Sequence, residues 1–135
     1  MTPSEAFAAV ALIAVGCDNT LSREEARSLR NQLENRSPYR DLPEEAMGDL
    51  FERLLTWMRD QGWHGLLKQA IAVLSPSQQE TALAMAVHLV HSDRQVDAEE
   101  RLLLDEMATL LQLPKERSQQ IIDVIGVLNR DSLAG

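Results

Sequence analysis

Carboxylate side chains recur at matching positions in two segments of this chain. An ungapped alignment of residues 5–33 with residues 80–108 pairs Asp18 with Asp93 and repeats a Glu-Glu pair six and seven positions later. Hard cations such as Ca²⁺ bind six to eight oxygen ligands, more than one such segment can easily supply. A supersecondary unit used twice usually packs against its copy and brings equivalent loops together, so the repeat predicts a paired acidic site. The paired carboxylates are Asp18 and Asp93, Glu24 and Glu99, and Glu25 and Glu100.

Part of this acidic pattern also fits the start of a helix. Ser22-Arg23-Glu24-Glu25 has the spacing of a capping box, in which serine accepts from one backbone amide and the last glutamate reaches back to another. Asp97-Ala98-Glu99-Glu100 repeats the spacing with aspartate as the cap. Losing such a cap costs about 1 kcal/mol, so capping explains both final glutamates without a metal. The paired aspartates that precede the caps have no such explanation, which leaves turn formation or metal ligation.

A zinc site and a catalytic site are the other chemistries to weigh. His88 and His91 lie one helical turn apart with Asp93 just beyond, but a fourth ligand and a Cys/His cluster are missing, which favours packing histidines. An EF-hand is excluded because Leu29 and Leu104 stand where its bidentate glutamate is needed. The chain has no Ser-His-Asp order, phosphate-binding glycine loop or nucleotide fingerprint. We therefore predict a protein that is not an enzyme, with a metal-dependent hydrolase as an alternative that lacks a nameable nucleophile or base.

The charge balance bears on the class of partner. The chain carries 21 acidic and 13 basic residues, a net charge of −8 that repels nucleic acid and anionic lipid headgroups. Arg23, Arg27 and Arg30 have helical spacing and would form one stripe, either a solvated helix face or a binding site for an anionic partner. The charge balance therefore predicts no nucleic-acid partner, while a protein partner is an expectation that the family resemblance below supports.

The N-terminal apolar run superficially resembles an export signal. No Lys or Arg precedes it, Glu5 stands where positive charge belongs, and the run is shorter than the ~20 residues that span a bilayer. The single Cys17 cannot form an internal disulfide, which fits a reducing compartment. We expect a soluble cytoplasmic protein without direct membrane insertion.

Helix signals account for nearly the whole chain, and no segment has a sustained strand pattern, so an all-α fold is predicted. The 135 residues, 44% of them hydrophobic, suffice for one domain, residues 1–135. We expect a compact bundle of about seven helices built from two pseudosymmetric three-helix units, residues 3–61 and 77–130, and a connector helix at 63–74. Gly62 is expected to end the third helix. The predicted helices span about 3–16, 22–36, 43–61, 63–74, 77–91, 97–111 and 114–129.

Asp18-Asn19-Thr20-Leu21-Ser22-Arg23-Glu24-Glu25 and its counterpart at residues 93–100 resemble the repeated acidic helix-loop-helix signature of TerB-like tellurite-resistance proteins. The resemblance covers essentially the whole chain, including the Leu-Pro start of the helix after each motif. The family commonly places glycine after the aspartate, where this chain has Asn19 and Arg94. The resemblance implies an all-helical, non-enzymatic accessory protein that acts in tellurite and other stress responses, within membrane-associated complexes.

The resemblance also implies that the acidic residues bind a divalent cation, with Ca²⁺ or Mn²⁺ preferred to Zn²⁺ because carboxylate oxygens are hard ligands. The alternative is a pure protein-interaction scaffold without a metal site, in which the acidic motifs only cap helices and a groove or the arginine stripe binds the partner. The candidate metal ligands are Asp18, Glu24, Glu25, Asp93, Asp97, Glu99 and Glu100, and the candidate partner-binding residues are Arg23, Arg27 and Arg30.

Overall fold

A computed structural model describes residues 1–16, 22–91 and 96–135. Within these ranges the chain forms six α-helices, one short 3₁₀ helix at Tyr39–Asp41 and no strand. The predicted all-α class is therefore confirmed. The helices are α1 (Pro3–Gly16), α2 (Arg23–Glu34), α3 (Glu44–Val73), α4 (Pro76–Val90), α5 (Ala98–Leu110) and α6 (Lys115–Leu128).

The first helix is the centre of the fold. Every residue of α1 from Ala8 to Gly16 is buried, and the helix packs against α2, α3 and α4. A helix that is apolar on all sides is stable only when neighbours cover it all round, and its many alanines allow those neighbours to approach closely. The second central helix is α4, which packs against α1, α5 and α6.

In its described part the structure has six α-helices rather than the expected seven, because residues 44–73 continue without an intervening loop as a kinked α3. The predicted boundary at Gly62 is nevertheless a break: its φ of 73° and ψ of 162° are not helical. A single glycine at positive φ redirects the chain without an intervening loop, so the flanking segments stay joined. The buried Trp63 then fixes the second part of α3 against the core.

Ion pairs join the outer helices to the central ones. Glu5 of α1 lies 3.3 Å from Arg53 of α3, and Glu80 of α4 lies 3.0 Å from Arg117 of α6. Both pairs connect the first helix of a predicted unit to its third helix. The pairing of α1 with α3 and of α4 with α6 agrees with the sequence repeat, while the pseudosymmetry of the two units stays a prediction.

Candidate functional site

The first acidic motif forms the capping box that its sequence predicts. The Ser22 hydroxyl accepts from the Glu25 amide at 3.0 Å, and Glu25 Oε1 accepts from the Ser22 amide at 3.0 Å. Two backbone donors that the first turn of α2 leaves unpaired are thereby satisfied. The capping prediction for this motif is confirmed.

The second motif has the same geometry at the start of α5. Asp97 Oδ1 accepts from the Glu100 amide at 2.8 Å, and Glu100 Oε1 accepts from the Asp97 amide at 3.1 Å. In each motif the cap uses one oxygen of the glutamate carboxylate. A carboxylate has two oxygens and about four acceptor sites, so capping and cation binding do not exclude each other.

The remaining acidic candidates divide into two groups. Glu24 and Glu99 are exposed in the first turns of α2 and α5. Asp18 and Asp93, the strongest sequence candidates, lie outside the described residues. Within the described ranges, no three His, Cys, Asp or Glu side chains come close enough to hold a metal ion. Metal binding therefore stays a prediction, and it depends on the two aspartates.

The two helices that lead into the acidic segments start at the same place. Pro3, Ser4 and Phe7 of α1 line a cavity of about 330 Å³ together with Gln78 of α4 and Leu74 just before it. Because α1 and α4 also pack against each other, their directions are closer to parallel than to antiparallel. The helices that precede the two acidic motifs are therefore neighbours that begin beside one cavity.

The histidines near the second motif have structural partners. His91 Nδ1 lies 2.8 Å from the carbonyl oxygen of Val87, one turn earlier in the chain. His88 Nδ1 lies 3.2 Å from Asn129 Nδ2, and both imidazole-bearing residues are half-buried. These contacts support the interpretation of both residues as packing histidines rather than as zinc ligands.

The arginine stripe of α2 is partly used within the protein. Arg30 pairs with Glu34 at 2.8 Å and with Glu44 at 3.3 Å, which ties α2 to the start of α3. Arg23 and Arg27 are exposed and keep the role of candidate partner-binding residues. Sequence reasoning did not identify Glu44, because a pairing across a loop leaves no periodic signal.

Sequence reasoning also missed an aromatic cluster at the cavity shared by α1 and α4. The Arg36 guanidinium lies 5.5 Å from the Phe7 ring centroid, and Phe7 stacks on Tyr39 at 6.4 Å. The Tyr39 hydroxyl donates to the Ser4 carbonyl, and burial raises the pKa of Tyr39 to about 12. The sequence feature that could have indicated this cluster is the connection after α2, which is four residues longer than its counterpart in the second unit.

No helix in the described part of the chain is both long and apolar enough to cross a bilayer.

Comparison with known proteins gives one family. The family model described as "Tellurite resistance protein TerB" matches residues 4–123 of this chain. No curated protein and no solved structure matches it.

Proposed function

The chain belongs to the TerB tellurite-resistance family, and from that premise we propose that it is an accessory protein of a tellurite or stress response whose two acidic motifs bind one divalent cation. It has no reaction of its own. It acts in the cytoplasm and presents its acidic surface to a protein partner in a membrane-associated complex.

The observation that carries the proposal is the matched geometry of the two motifs. The capping boxes fix Glu25 and Glu100 at equivalent positions of α2 and α5. Each motif follows a central helix, and those two helices pack against each other and begin beside one cavity. This arrangement supports a shared site in which neither motif alone provides the six to eight oxygens of a calcium ion.

The ligand chemistry favours Ca²⁺ or Mn²⁺. All the candidate ligands are carboxylates, which are hard oxygen donors, whereas the nearby histidines are held by Val87 and Asn129. Asp18 and Asp93 would complete the set with the first-turn glutamates. Because those glutamates are exposed or half-buried, water competes for the cation and the affinity is expected to be low.

Calorimetric titration with Ca²⁺, Mn²⁺ and Zn²⁺ tests the proposal. The Asp18→Asn/Asp93→Asn variant is expected to lose the binding heat of the wild-type protein. Asp49→Asn/Asp60→Asn, which removes two exposed carboxylates of α3, is the matched control and should bind normally. If Asp18→Asn/Asp93→Asn gives the same binding heat as the control variant and the wild type, cation binding is removed from the proposed function.

The second candidate function is a pure interaction scaffold. It is favoured by the capping boxes themselves, because they account for the motif spacing without an ion. It predicts unchanged stability in chelator and a partner lost from Arg23→Glu/Arg27→Glu. Arg30 is left out of that variant because its reversal would also break the pairs with Glu34 and Glu44.

A further inference from the structure

One face of α6 exposes apolar side chains to solvent. Val124 is 65% exposed, Val127 54% and Leu128 66%, and the half-buried Ile121 lies one turn before Val124. These four residues, called here the α6 face, share one side of the helix by their spacing. Isolated exposed apolar residues are ordinary, but a contiguous stripe on one helix marks an interaction surface.

The corresponding helix of the first unit carries this stripe only in part. The alignment of Leu42-Pro43 with Leu113-Pro114 pairs Val124 with Arg53 and Val127 with Thr56, and both partners in α3 are exposed. Ile121 and Leu128 pair instead with apolar residues, the buried Leu50 and the partly buried Trp57. The two exposed valines are therefore the part of the α6 face that the equivalent positions of α3 do not share.

The α6 face is arranged to pack against its own copy. If a second α6 runs antiparallel with Val124 at the twofold axis, Ile121 of each copy lies opposite Val127 of the other. A cavity of about 350 Å³ between α4 and α6, lined by Ala84, Ile121 and Val124, then adjoins Leu128 of the second copy. The apolar centre of the contact is formed by Ile121, Val124 and Val127, while Glu80, Arg117 and Gln120, which also line the cavity, form its polar edge, as in an interface with an apolar core and a polar rim.

Charge favours this face over the rest of the surface. The chain has a net charge of −8, but on α6 Lys115 and Arg117 balance Glu116 and Asp123. Two copies therefore meet with little like-charge repulsion there, whereas α5, with four acidic residues and one arginine, would bring acidic excess together. Antiparallel helices also place opposite ends of their dipoles side by side.

The geometry points to a reversible homodimer formed by antiparallel packing of the α6 faces of two copies of this chain. α6 has 14 residues, so it is about 21 Å long, and two such faces bury roughly 800–1,000 Å². That area is near the lower limit for a specific interface, so the dimer forms at micromolar or higher concentration. This inference is independent of the cation site.

Sedimentation equilibrium between about 1 μM and about 1 mM tests the dimer. The wild-type protein is expected to shift from monomer to dimer over this range. Val124→Glu/Leu128→Glu should raise the dissociation constant by about a hundredfold or more, because it buries charge at the contact. Leu102→Glu is the matched control, since Leu102 is a 53% exposed leucine of α5, and it should dimerise like the wild type.

Disulfide trapping tests the register independently. In a Cys17→Ser background, Val124→Cys at the twofold axis would bring the two Cα atoms about 4–6 Å apart, within the range of a disulfide. Mild oxidation should therefore give a covalent dimer, whereas Leu102→Cys in the same background should stay monomeric. A wild-type monomer throughout the concentration range would overturn the inference, and trapping at Leu102→Cys as efficient as at Val124→Cys would overturn the proposed register.

Discussion

The buried side chain of Gln79 accepts a hydrogen bond from the backbone amide of Gln112 at 2.7 Å. This bond joins α4 to the connection between α5 and α6. The side-chain nitrogen of Gln79 also donates to the carbonyls of Ile71, at 3.2 Å, and Leu74, at 3.0 Å, at the end of α3. One side chain, only 1% exposed, thus connects three parts of the bundle and provides partners for backbone groups that would otherwise be buried without them.

We expect Gln79→Leu to lower the free energy of unfolding by about 2–4 kcal/mol, because it leaves several buried backbone groups without partners. Urea unfolding followed by circular dichroism measures the loss. Gln69→Leu, at an exposed position of α3, is the control and should change stability by less than about 0.5 kcal/mol. Equal effects of the two substitutions would mean that the buried hydrogen bonds contribute nothing net.

Removal of either capping residue should destabilise the protein. Ser22→Ala and Asp97→Ala each remove the acceptor for a first-turn amide, and each is expected to cost about 1 kcal/mol of unfolding free energy. Urea unfolding in the presence of chelator isolates this effect from any cation. Ser77→Ala, an exposed serine inside the first turn of α4, should be nearly neutral, and a loss there as large as at Ser22 would argue against the caps.

Cation binding and capping can be separated at the same two residues. Glu25→Gln/Glu100→Gln keeps an oxygen that can complete each cap, as Gln78 does in the capping box of α4. Stability in chelator is expected to fall by about 0.3–1 kcal/mol for each negative charge lost from a helix N-terminus. Loss of two carboxylates should weaken cation binding at least about tenfold in calorimetric titration. Unchanged cation affinity would remove these glutamates from the site.

The chain has one tyrosine, so phenolate absorbance at alkaline pH reports the titration of Tyr39 alone. Burial raises the pKa of Tyr39 from 10.0 to about 12, so the unfolded state loses the phenol proton before the folded state does. The stability that Tyr39 contributes is therefore complete below pH 10 and is lost as the pH rises toward 12. Ultraviolet absorbance should show phenolate forming near pH 12 in the folded protein.

Tyr39→Phe is the control for this pH dependence. It should lose about 1 kcal/mol at neutral pH with the hydrogen bond to Ser4, and above pH 10 its stability should fall less steeply than that of the wild type. A phenolate transition near pH 10 in the folded protein would contradict the buried position of the ring.

The Glu5–Arg53 pair should stabilise the protein only above acidic pH. The hydrogen bond from the Thr2 amide, followed by the hydroxyl of Thr2 and the charge of Arg53, holds the pKa of Glu5 below its usual 4.5. Its contribution is therefore present above that value and is lost as the pH falls through the lowered pKa. Glu5→Gln is expected to be less stable than the wild type by less than about 1 kcal/mol near pH 7. The difference should shrink as the pH falls below 4.5 and vanish once Glu5 is protonated in the folded protein, and a constant difference in urea unfolding would exclude the carboxylate charge as its cause.

Local patterns were sufficient for much of the fold. The capping boxes at Ser22 and Asp97 join residues three positions apart, so their hydrogen bonds follow from the sequence wherever a helix begins. The break at Gly62 also follows from residue type, because glycine readily adopts positive φ. What residue type does not give is the direction in which the chain leaves Gly62, since that depends on which side chains of the second part of α3, such as Trp63, pack into the core.

The helical class, most helix starts and the family follow from residue types within a few positions of one another or from a linear pattern. The pairing of Arg30 with Glu44, the connection of three segments by Gln79 and the exposure of the α6 face are known only from the folded chain. These relationships join residues far apart in the chain or depend on which neighbour covers a helix. No local periodicity records that information, because it is fixed by the packing of the whole bundle.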